Sequence, residues 1–441
     1  MNCSSEAARR RRVLVIAEAA NPEWASVPLI GWNLSRALAE VADVHLVTQV
    51  RNRDAIARAG WIEGREFTAI DNEGIASPLF KLSNLLRGGS GKGWTTVSGL
   101  SALAYYSFER ELWRQFEGRV ASGDFDLVHR ITPLSPTSPS IIAKRLARLE
   151  IPFVIGPLNG GLPWPSHFAD RLRAEREWLS YVRWLYKLMP GYRSTRRYCA
   201  AIIAGSKHTY DEMPRLAKSK CIYIPENAVA ADILEVGQAR RMTGRLRGGF
   251  VGRLVPYKGV DILLESAAEF LQRGDLQLHI IGDGPERGAL QDLVKRLNIG
   301  DSVCFHGWLP HAEVQKTLAD CHFMAFPSIR EFGGGVVVES MALGVTPIVA
   351  DYGGPSELVD DETGIRVPFT DKKSLVDGMR RAIETVIRSP SILDTFGAAA
   401  RRKVREKLTW NMKAKQIASV YEAVLNGVTD LSKLDPYGKP F

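Results

Sequence analysis

Several features that would place the chain in a simple class are missing from its 441 residues. No run of about 18 apolar residues occurs, so the sequence predicts no membrane-spanning helix. The five cysteines are widely spaced without a C-x-x-C pair, which argues against a disulfide framework and indicates a reducing compartment. None of the eight histidines forms an H-x-H or H-x-x-x-H pair, so no metal site is predicted. We therefore expect a cytoplasmic protein with neither a metal nor a cofactor.

Two familiar catalytic motifs are incomplete or misplaced. The stretch GGSGKG at 88–93 looks like a phosphate loop, but Leu86 replaces its first glycine and Gly93 its Ser/Thr. We interpret 84–98 as a mobile glycine-rich loop. The D-x-D at 124–126 precedes its strand, whereas ligands bind at the opposite end of a parallel sheet. Neither motif is therefore assigned a function.

The bulk properties indicate two domains and an anionic partner. At 441 residues the chain exceeds the roughly 250–300 residues at which single cores stop growing. The net charge of +9 suits nucleic acid, a phosphorylated substrate or an acidic membrane surface. Charge alone does not choose among these partners.

Short apolar runs alternate with helix-period stretches along nearly the whole chain, which is the pattern of βα units and parallel sheets. We predict an α/β fold of two Rossmann-like doubly wound domains facing across a cleft. The predicted strands are 13–20, 43–49, 126–132, 152–158, 200–206, 248–254, 276–284, 302–308, 322–328 and 345–351. The predicted boundaries are 1–207 for the N-terminal domain, joined by a C-terminal helix at 405–426, 208–247 for a connector, 248–404 for the C-terminal domain and 427–441 for a tail.

Two cations follow the first strand of the second half. In GGFVGRLVPYKG, Arg253 and Lys258 lie five positions apart on one strand-end loop. Such a loop suits a diphosphate, because arginine offers a bidentate fork and lysine a point charge. A solvated basic turn is the alternative interpretation.

A glycine triplet follows the apolar run HFMAFPS. Gly333, Gly334 and Gly335 allow a close backbone approach to an anion, and the next helix presents its N-terminal N–H groups. Glu331 lies on the loop, and we expect Glu339 in the first turn of the helix, where it suits a ribose diol. The alternatives are a helix-dipole partner for Glu339 and a surface loop charge for Glu331.

The first half offers two weaker candidates. His129 lies near the end of the strand DLVHRIT, although a lone histidine is more often a core residue. Gly31 opens the first crossover helix, where close packing explains a glycine as well as a nearby ligand does.

The combined R-x4-K and E-x7-E patterns resemble those of the retaining GT-B-fold glycosyltransferases of family 4, also called glycosyl transferases group 1. The resemblance is strongest over 248–369 and weaker over 13–230. It departs from the family at Phe332, because the family more often reads E-G-F-G at this loop.

The resemblance implies a role for each matching residue. Arg253 and Lys258 would grip the donor diphosphate, and Glu331 would contact the transferred sugar. Gly333, Gly334 and Gly335 would offer backbone amides, and Glu339 would bind the ribose. Gly31 would line the diphosphate from the N-terminal domain, and His129 would face the reacting sugar.

The resemblance thus predicts transfer of a sugar from a nucleotide diphosphate sugar to a hydroxyl acceptor with retention, in cell-surface polysaccharide or glycolipid synthesis. Alternatives are a nucleotide-sugar epimerase and a non-catalytic membrane- or nucleic-acid-binding protein; no nucleic-acid-binding module is visible. The basic, aromatic segment 168–198 suits either an anionic membrane surface, with a lipid-linked acceptor, or packing beside the acceptor site.

Overall fold

A computed structural model of the chain describes residues 10–74, 78, 94–168, 170–171, 186–236 and 244–436. The chain divides into two compact units, which we describe separately. The first contains Met1–Gly161, Glu177–Glu226 and Trp410–Phe441, and the second contains Leu162–Arg176 and Asn227–Thr409.

The first unit is built on a parallel sheet in the order β3-β2-β1-β4-β5-β6-β7. Its strands are β1 Arg12–Ala17, β2 Asp43–Gln49, β3 Phe67–Ile70, β4 Leu127–Thr132, β5 Phe153–Leu158, β6 Ala201–Ala204 and β7 Cys221–Tyr223. The central strands are almost wholly buried, because helices cover both faces of a parallel sheet. Its α-helices are Val27–Val41, Arg53–Arg58, Trp94–Ala121, Ala143–Arg148, Tyr192–Tyr198, Lys207–Asp211, Arg215–Lys218 and Trp410–Leu425.

The second unit has a parallel sheet in the order β10-β9-β8-β11-β12-β13. Its strands are β8 Leu246–Val251, β9 Leu276–Ile281, β10 Val303–Gly307, β11 Phe323–Phe326, β12 Thr346–Ala350 and β13 Ile365–Val367. Its α-helices are Ile233–Val236, Val260–Arg273, Arg287–Arg296, His311–Ala319, Gly335–Ala342, Gly354–Leu358, Lys372–Arg388 and Ser391–Lys407. The buried core joins the strands β8, β9, β11 and β12 to the helices beside them.

The predicted fold class of two parallel α/β Rossmann-like units is confirmed. Each of the ten predicted strands is present, with ends that differ by a few residues. Strands β3, β7 and β13 were not predicted, since three or four residues carry little periodicity.

The predicted helix over 405–426 is interrupted. One helix ends at Lys407 and the next begins at Trp410. The break arises because Thr409 pairs with Val229 in an isolated parallel bridge, and the Val229 N–H donates to the Leu408 carbonyl. The helix Trp410–Leu425 then packs against Val27–Val41 in the first unit.

Two predicted segments fall partly beyond the described ranges. Of the loop predicted at 84–98, residues 84–93 lie outside them, and 94–98 begin the helix Trp94–Ala121. Of the basic, aromatic segment 168–198, residues 169 and 172–185 lie outside them. Among the residues that are described, no helix has the length and apolar character needed to cross a bilayer.

Candidate functional site

The second sheet reverses its strand order between β8 and β11. From β8 the chain adds β9 and β10 on one side, and then returns to place β11 on the other. The loops that follow β8 and β11 therefore diverge at the carboxyl end of the sheet, which is where open α/β sheets bind ligands. Arg253 and Lys258 follow β8, and Glu331 follows β11.

The loop after β8 holds Lys258 against Glu331. Pro256–Lys258 forms a turn of 3₁₀-helix that ends at Gly259, whose φ is +73°. A Cβ at Gly259 would meet the Pro327 carbonyl oxygen at 2.5 Å, so only glycine lets the two loops touch here. The Lys258 ammonium contacts the Glu331 carboxylate, and the two side chains are 13% and 21% exposed. This partial shielding strengthens their attraction relative to a surface pair.

Arg171 fixes the same turn from the other side. Its guanidinium donates to the Pro256 carbonyl and, at 2.7 Å, to Asp261 at the start of the following helix. Burial by itself would raise the pKa of Asp261, but Arg171 and Lys372 outweigh it, and the pKa is lowered. Arg171 was not predicted as a site residue, because it approaches from the distant segment Leu162–Arg176.

Arg253 has an exposed side chain. Its backbone carbonyl accepts from Val255 N–H, which shapes the start of the loop. Its fork of N–H donors is thus accessible to an anionic ligand at the strand end.

The glycine triplet forms the entry to the helix Gly335–Ala342. Gly334 is the N-cap with a φ of +77°, a left-handed conformation that favours glycine. The loop is held from below by the turn after β12, where Gly354 N–H donates to the Glu331 carbonyl at 3.0 Å. The first N–H groups of a helix lack intrahelical partners, so this end presents donors and a positive dipole to an anion.

Phe332 and Arg330 explain the loop's departure from the familiar pattern. The Arg330 guanidinium lies 4.9 Å from the ring centres of both Phe332 and Trp164. Its Nε also donates to the Leu162 carbonyl at 3.0 Å. Phe332 therefore anchors the loop through Arg330, a residue that the sequence analysis missed because Trp164 is distant in the chain.

The sequence predicted Glu339 in the first turn of its helix, but the residue lies beyond that turn. The helix begins at Gly335, one residue before the predicted start, and its first turn has no acidic residue. The Glu339 Oε1 lies 3.4 Å from Nε2 of His311, and this hydrogen bond raises the pKa of His311. The Glu339 side chain remains 24% exposed and accessible.

His129 and Gly31 have different surroundings in the first unit. His129 is fully buried, with Nδ1 at 2.6 Å from the Tyr421 hydroxyl and Nε2 at 2.8 Å from the Gly156 carbonyl. Burial lowers its pKa to about 4. A Cβ at Gly31 would meet the Ala19 carbonyl oxygen at 2.1 Å. The surroundings of His129 are those of a core residue, and those of Gly31 are explained by close packing. The burial of His129 argues against its contact with a sugar.

Comparisons with known proteins point to one family. Residues 243–402 match the sequence model of the family described as Glycosyl transferases group 1. Alpha-D-kanosaminyltransferase of Streptomyces kanamyceticus is 28% identical over 53% of this chain and 62% of its own. GDP-mannose-dependent alpha-mannosyltransferase of Mycolicibacterium smegmatis is 36% identical over 41% of this chain and 44% of its own. These comparisons support glycosyl transferases group 1.

The chain spans about half the length of these curated relatives. The structure of HepE from Anabaena, in complex with UDP, covers 93% of this chain and 100% of its own with a TM-score of 0.62. At 16% identity this likeness shows the fold alone. Arg253, Lys258, Glu331 and Glu339 all lie within the part that matches glycosyl transferases group 1.

Proposed function

We propose that the protein transfers a sugar from a nucleotide diphosphate sugar to a hydroxyl acceptor, with retention of the anomeric configuration. One observation carries the proposal: Arg253, Lys258 and the glycine-rich start of the helix Gly335–Ala342 follow β8 and β11, the two strands at the switch point. Cations and a helix N-terminus at one place form a site for a diphosphate. The bound UDP of HepE and the GDP-mannose dependence of the mycobacterial relative favour a nucleotide sugar.

The cations would stabilise the leaving group. Arg253 would bind the diphosphate through its planar fork, while Lys258 would supply a point charge from a partly shielded position. Positive groups fixed in advance stabilise the charge that develops on the departing phosphate, and one lost donor typically costs about 10²–10³ in rate. Because these side chains neutralise the diphosphate, the proposed reaction requires no metal.

The proposed reaction needs no side chain of the protein as a base. The bond between the anomeric carbon and the diphosphate oxygen breaks, and a bond from the acceptor oxygen to the same carbon and face forms. The acceptor's proton passes to the leaving phosphate. Glu331 would contact the transferred sugar and hold Lys258, while the backbone amides of Gly333, Gly334 and Gly335 would bind the sugar and phosphate.

Glu339 would bind the ribose of the donor. Its carboxylate is partly exposed beyond the glycine loop, where it accepts from His311. A carboxylate can accept hydrogen bonds from both hydroxyls of a ribose diol. Neither Gly31 nor His129 is given a contact with the donor in this proposal, since packing accounts for both.

The acceptor is proposed to be a hydroxyl of a growing cell-surface polysaccharide or glycolipid. A lipid-linked acceptor would bring the protein to the inner face of the membrane, and we propose no nucleic-acid partner. Flotation with liposomes tests this point: binding to anionic but not neutral vesicles supports it, and absence of binding to both removes the membrane contact.

The direct test is a transfer assay with the purified full chain, a panel of UDP, GDP, ADP and dTDP sugars, and sugar-alcohol or lipid-linked acceptors. We expect acceptor-dependent release of one nucleoside diphosphate and a product whose anomeric proton coupling matches the donor's. An inverted product would overturn retention alone. Conversion of the donor sugar to its epimer would favour the epimerase alternative, and binding without turnover would favour a non-catalytic protein.

A further inference from the structure

The edge of the second sheet brings together two histidines and a cysteine. In the β9–β10 pairing Cys304 is aligned with His279, and side chains of neighbouring strands at aligned positions stand about 4.8 Å apart. His306 lies two residues beyond Cys304 on β10. One ligand atom from each of His279, Cys304 and His306 lies within 4.8 Å of the others.

A local irregularity of β10 aims His306 at this cluster. The register skips from Phe305 to Gly307, which leaves His306 without an aligned partner on β9. Irregularities of this kind at a sheet edge redirect a side chain. The imidazoles of His279 and His306 meet end to end with an interplanar angle of 21°, and Nδ1 of His279 shares a hydrogen bond with Nε2 of His306 at 2.9 Å.

These spacings approach those of a tetrahedral zinc site. Zn–N bonds of about 2.0–2.1 Å place two ligating nitrogens about 3.3 Å apart. A bound ion would replace the hydrogen bond between the two imidazoles, with the nitrogens moving apart by about 0.4 Å and the rings turning so that both nitrogens face the ion. Within the described residues, moreover, Nε2 of His279 is buried and has no hydrogen-bond partner. No protein group among the described residues therefore fixes the tautomer of His279 through Nε2, so the ring can present an unprotonated Nδ1 to an ion.

The chemistry of the three side chains is that of a zinc ligand set. Neutral imidazole and thiolate are the nitrogen and sulfur ligands that zinc prefers. Cys304 is the one cysteine among the described residues that is not buried. All three residues are partly exposed, so an ion can reach them from water.

We propose that His279, Cys304 and His306 form a Zn²⁺ site on this face of the second unit, with water as the fourth ligand. The ion links β10, the edge strand of the sheet, to its neighbour β9. The site could not be predicted from the sequence, because His279 is 25 positions from Cys304 and the register of two strands brings them together. The proposal stands apart from the proposed transfer reaction.

Cobalt titration of the metal-stripped full chain tests the site, because Co²⁺ replaces Zn²⁺ at tetrahedral sites and reports a cysteine ligand by a thiolate-to-cobalt charge-transfer band. We expect the band to saturate at one equivalent and to disappear when Zn²⁺ is added. Zinc should also raise the melting temperature of the stripped protein, since it binds the folded state preferentially. The C304S and H306Q variants should each lose the band and the zinc-dependent shift.

Two matched controls isolate the cluster. Cys321→Ser removes a buried thiol of the same unit, whose Sγ donates to the Thr317 carbonyl, and Cys3→Ser removes the thiol near the N-terminus. Both variants should keep the band. Absence of the band in the wild-type chain, or its persistence in C304S, would overturn the proposal. The wild-type titration decides the matter even where a variant fails to fold.

Discussion

Both sheets reverse their strand order at one place, between β1 and β4 in the first unit and between β8 and β11 in the second. In the first unit the Thr132 hydroxyl donates to the Ala19 carbonyl, and Gly31 packs against the same carbonyl. In the second unit a lysine–glutamate pair and an exposed arginine follow the two strands. At the first switch point the Ala19 carbonyl is occupied by protein contacts. At the second, charged side chains remain at least partly exposed.

The shared topology of the two sheets does not decide whether a switch point binds a ligand. Parallel strands bring loops together at the carboxyl edge of either sheet, but the side chains on those loops determine whether a ligand can bind there. Near the first switch point, both ring nitrogens of His129 form hydrogen bonds with protein groups. Lys258 at the second is held by Glu331 and stays partly exposed, so its ammonium can also contact a diphosphate.

The largest expected effect follows Lys258→Met, which removes the ammonium while keeping most of the stem. Transfer should fall by about 10²–10³, because the leaving phosphate loses a fixed positive charge. Rates of nucleoside diphosphate release measure this effect. Lys316→Met is the matched control, since its ammonium pairs with Glu313 on an exposed helix face. Equal rates in the two variants would contradict the role of Lys258.

The pH dependence of stability tests the interpretation of His129. Its folded pKa of about 4 lies below the ordinary 6.5, so the unfolded chain binds more protons between these values. Stability should therefore fall as pH drops from 6.5 to 4, by up to about 3 kcal/mol. Melting curves of the wild type and His129→Gln measure this slope, which should flatten in the variant. The folded variant should retain transfer within about tenfold, and a complete loss would restore a catalytic role.

Gly31→Ala should destabilise the first unit by about 1–3 kcal/mol, as overpacked substitutions do. The added Cβ would collide with the Ala19 carbonyl oxygen. Calorimetric unfolding is the measurement. Gly118→Ala is the control: its Cβ meets no atom within 4 Å in the helix Trp94–Ala121, and it should stabilise slightly. A melting temperature of Gly31→Ala equal to that of the wild type would contradict the packing explanation.

Glu331→Gln preserves the shape of the side chain but removes the charge that holds Lys258. We expect transfer to fall by roughly tenfold, less than for Lys258→Met, because the cation itself remains. Steady-state kinetics should show most of the loss in kcat. Glu362→Gln, on an exposed turn of the same unit, is the control. A rate unchanged from the wild type would remove Glu331 from the site.

The smallest effect is expected for Glu339→Gln. Loss of the carboxylate should weaken donor binding about threefold, since a hydrogen bond to a neutral amide replaces one to a charge. It should also lower the pKa of His311, because the Glu339 hydrogen bond is what raises it. NMR titration of the His311 ring measures this shift. An unchanged His311 pKa would show that the contact is absent in solution.

Much of the fold and part of the site follow from local sequence. Lys258 and Glu331 could be predicted as neighbours because each follows a clear apolar run, and adjacent parallel strands end at the same edge. Contacts over long separations could not be predicted. Tyr421 meets His129 from 292 residues away, and Trp164 reaches Arg330 from a segment that no periodic pattern assigns to the second unit.

The central claim is a diphosphate site at the second switch point. Its most direct test is calorimetric titration of the full chain, and of variants at Lys258 and Arg253, with UDP, GDP, ADP and dTDP. We predict that at least one nucleoside diphosphate binds with a stoichiometry of one per chain. Lys258→Met and Arg253→Gln should each lower its affinity about tenfold or more. Lys316→Met should bind as the wild type does. Failure of all four nucleotides to bind, or equal affinity in every variant, would contradict a diphosphate site at the second switch point.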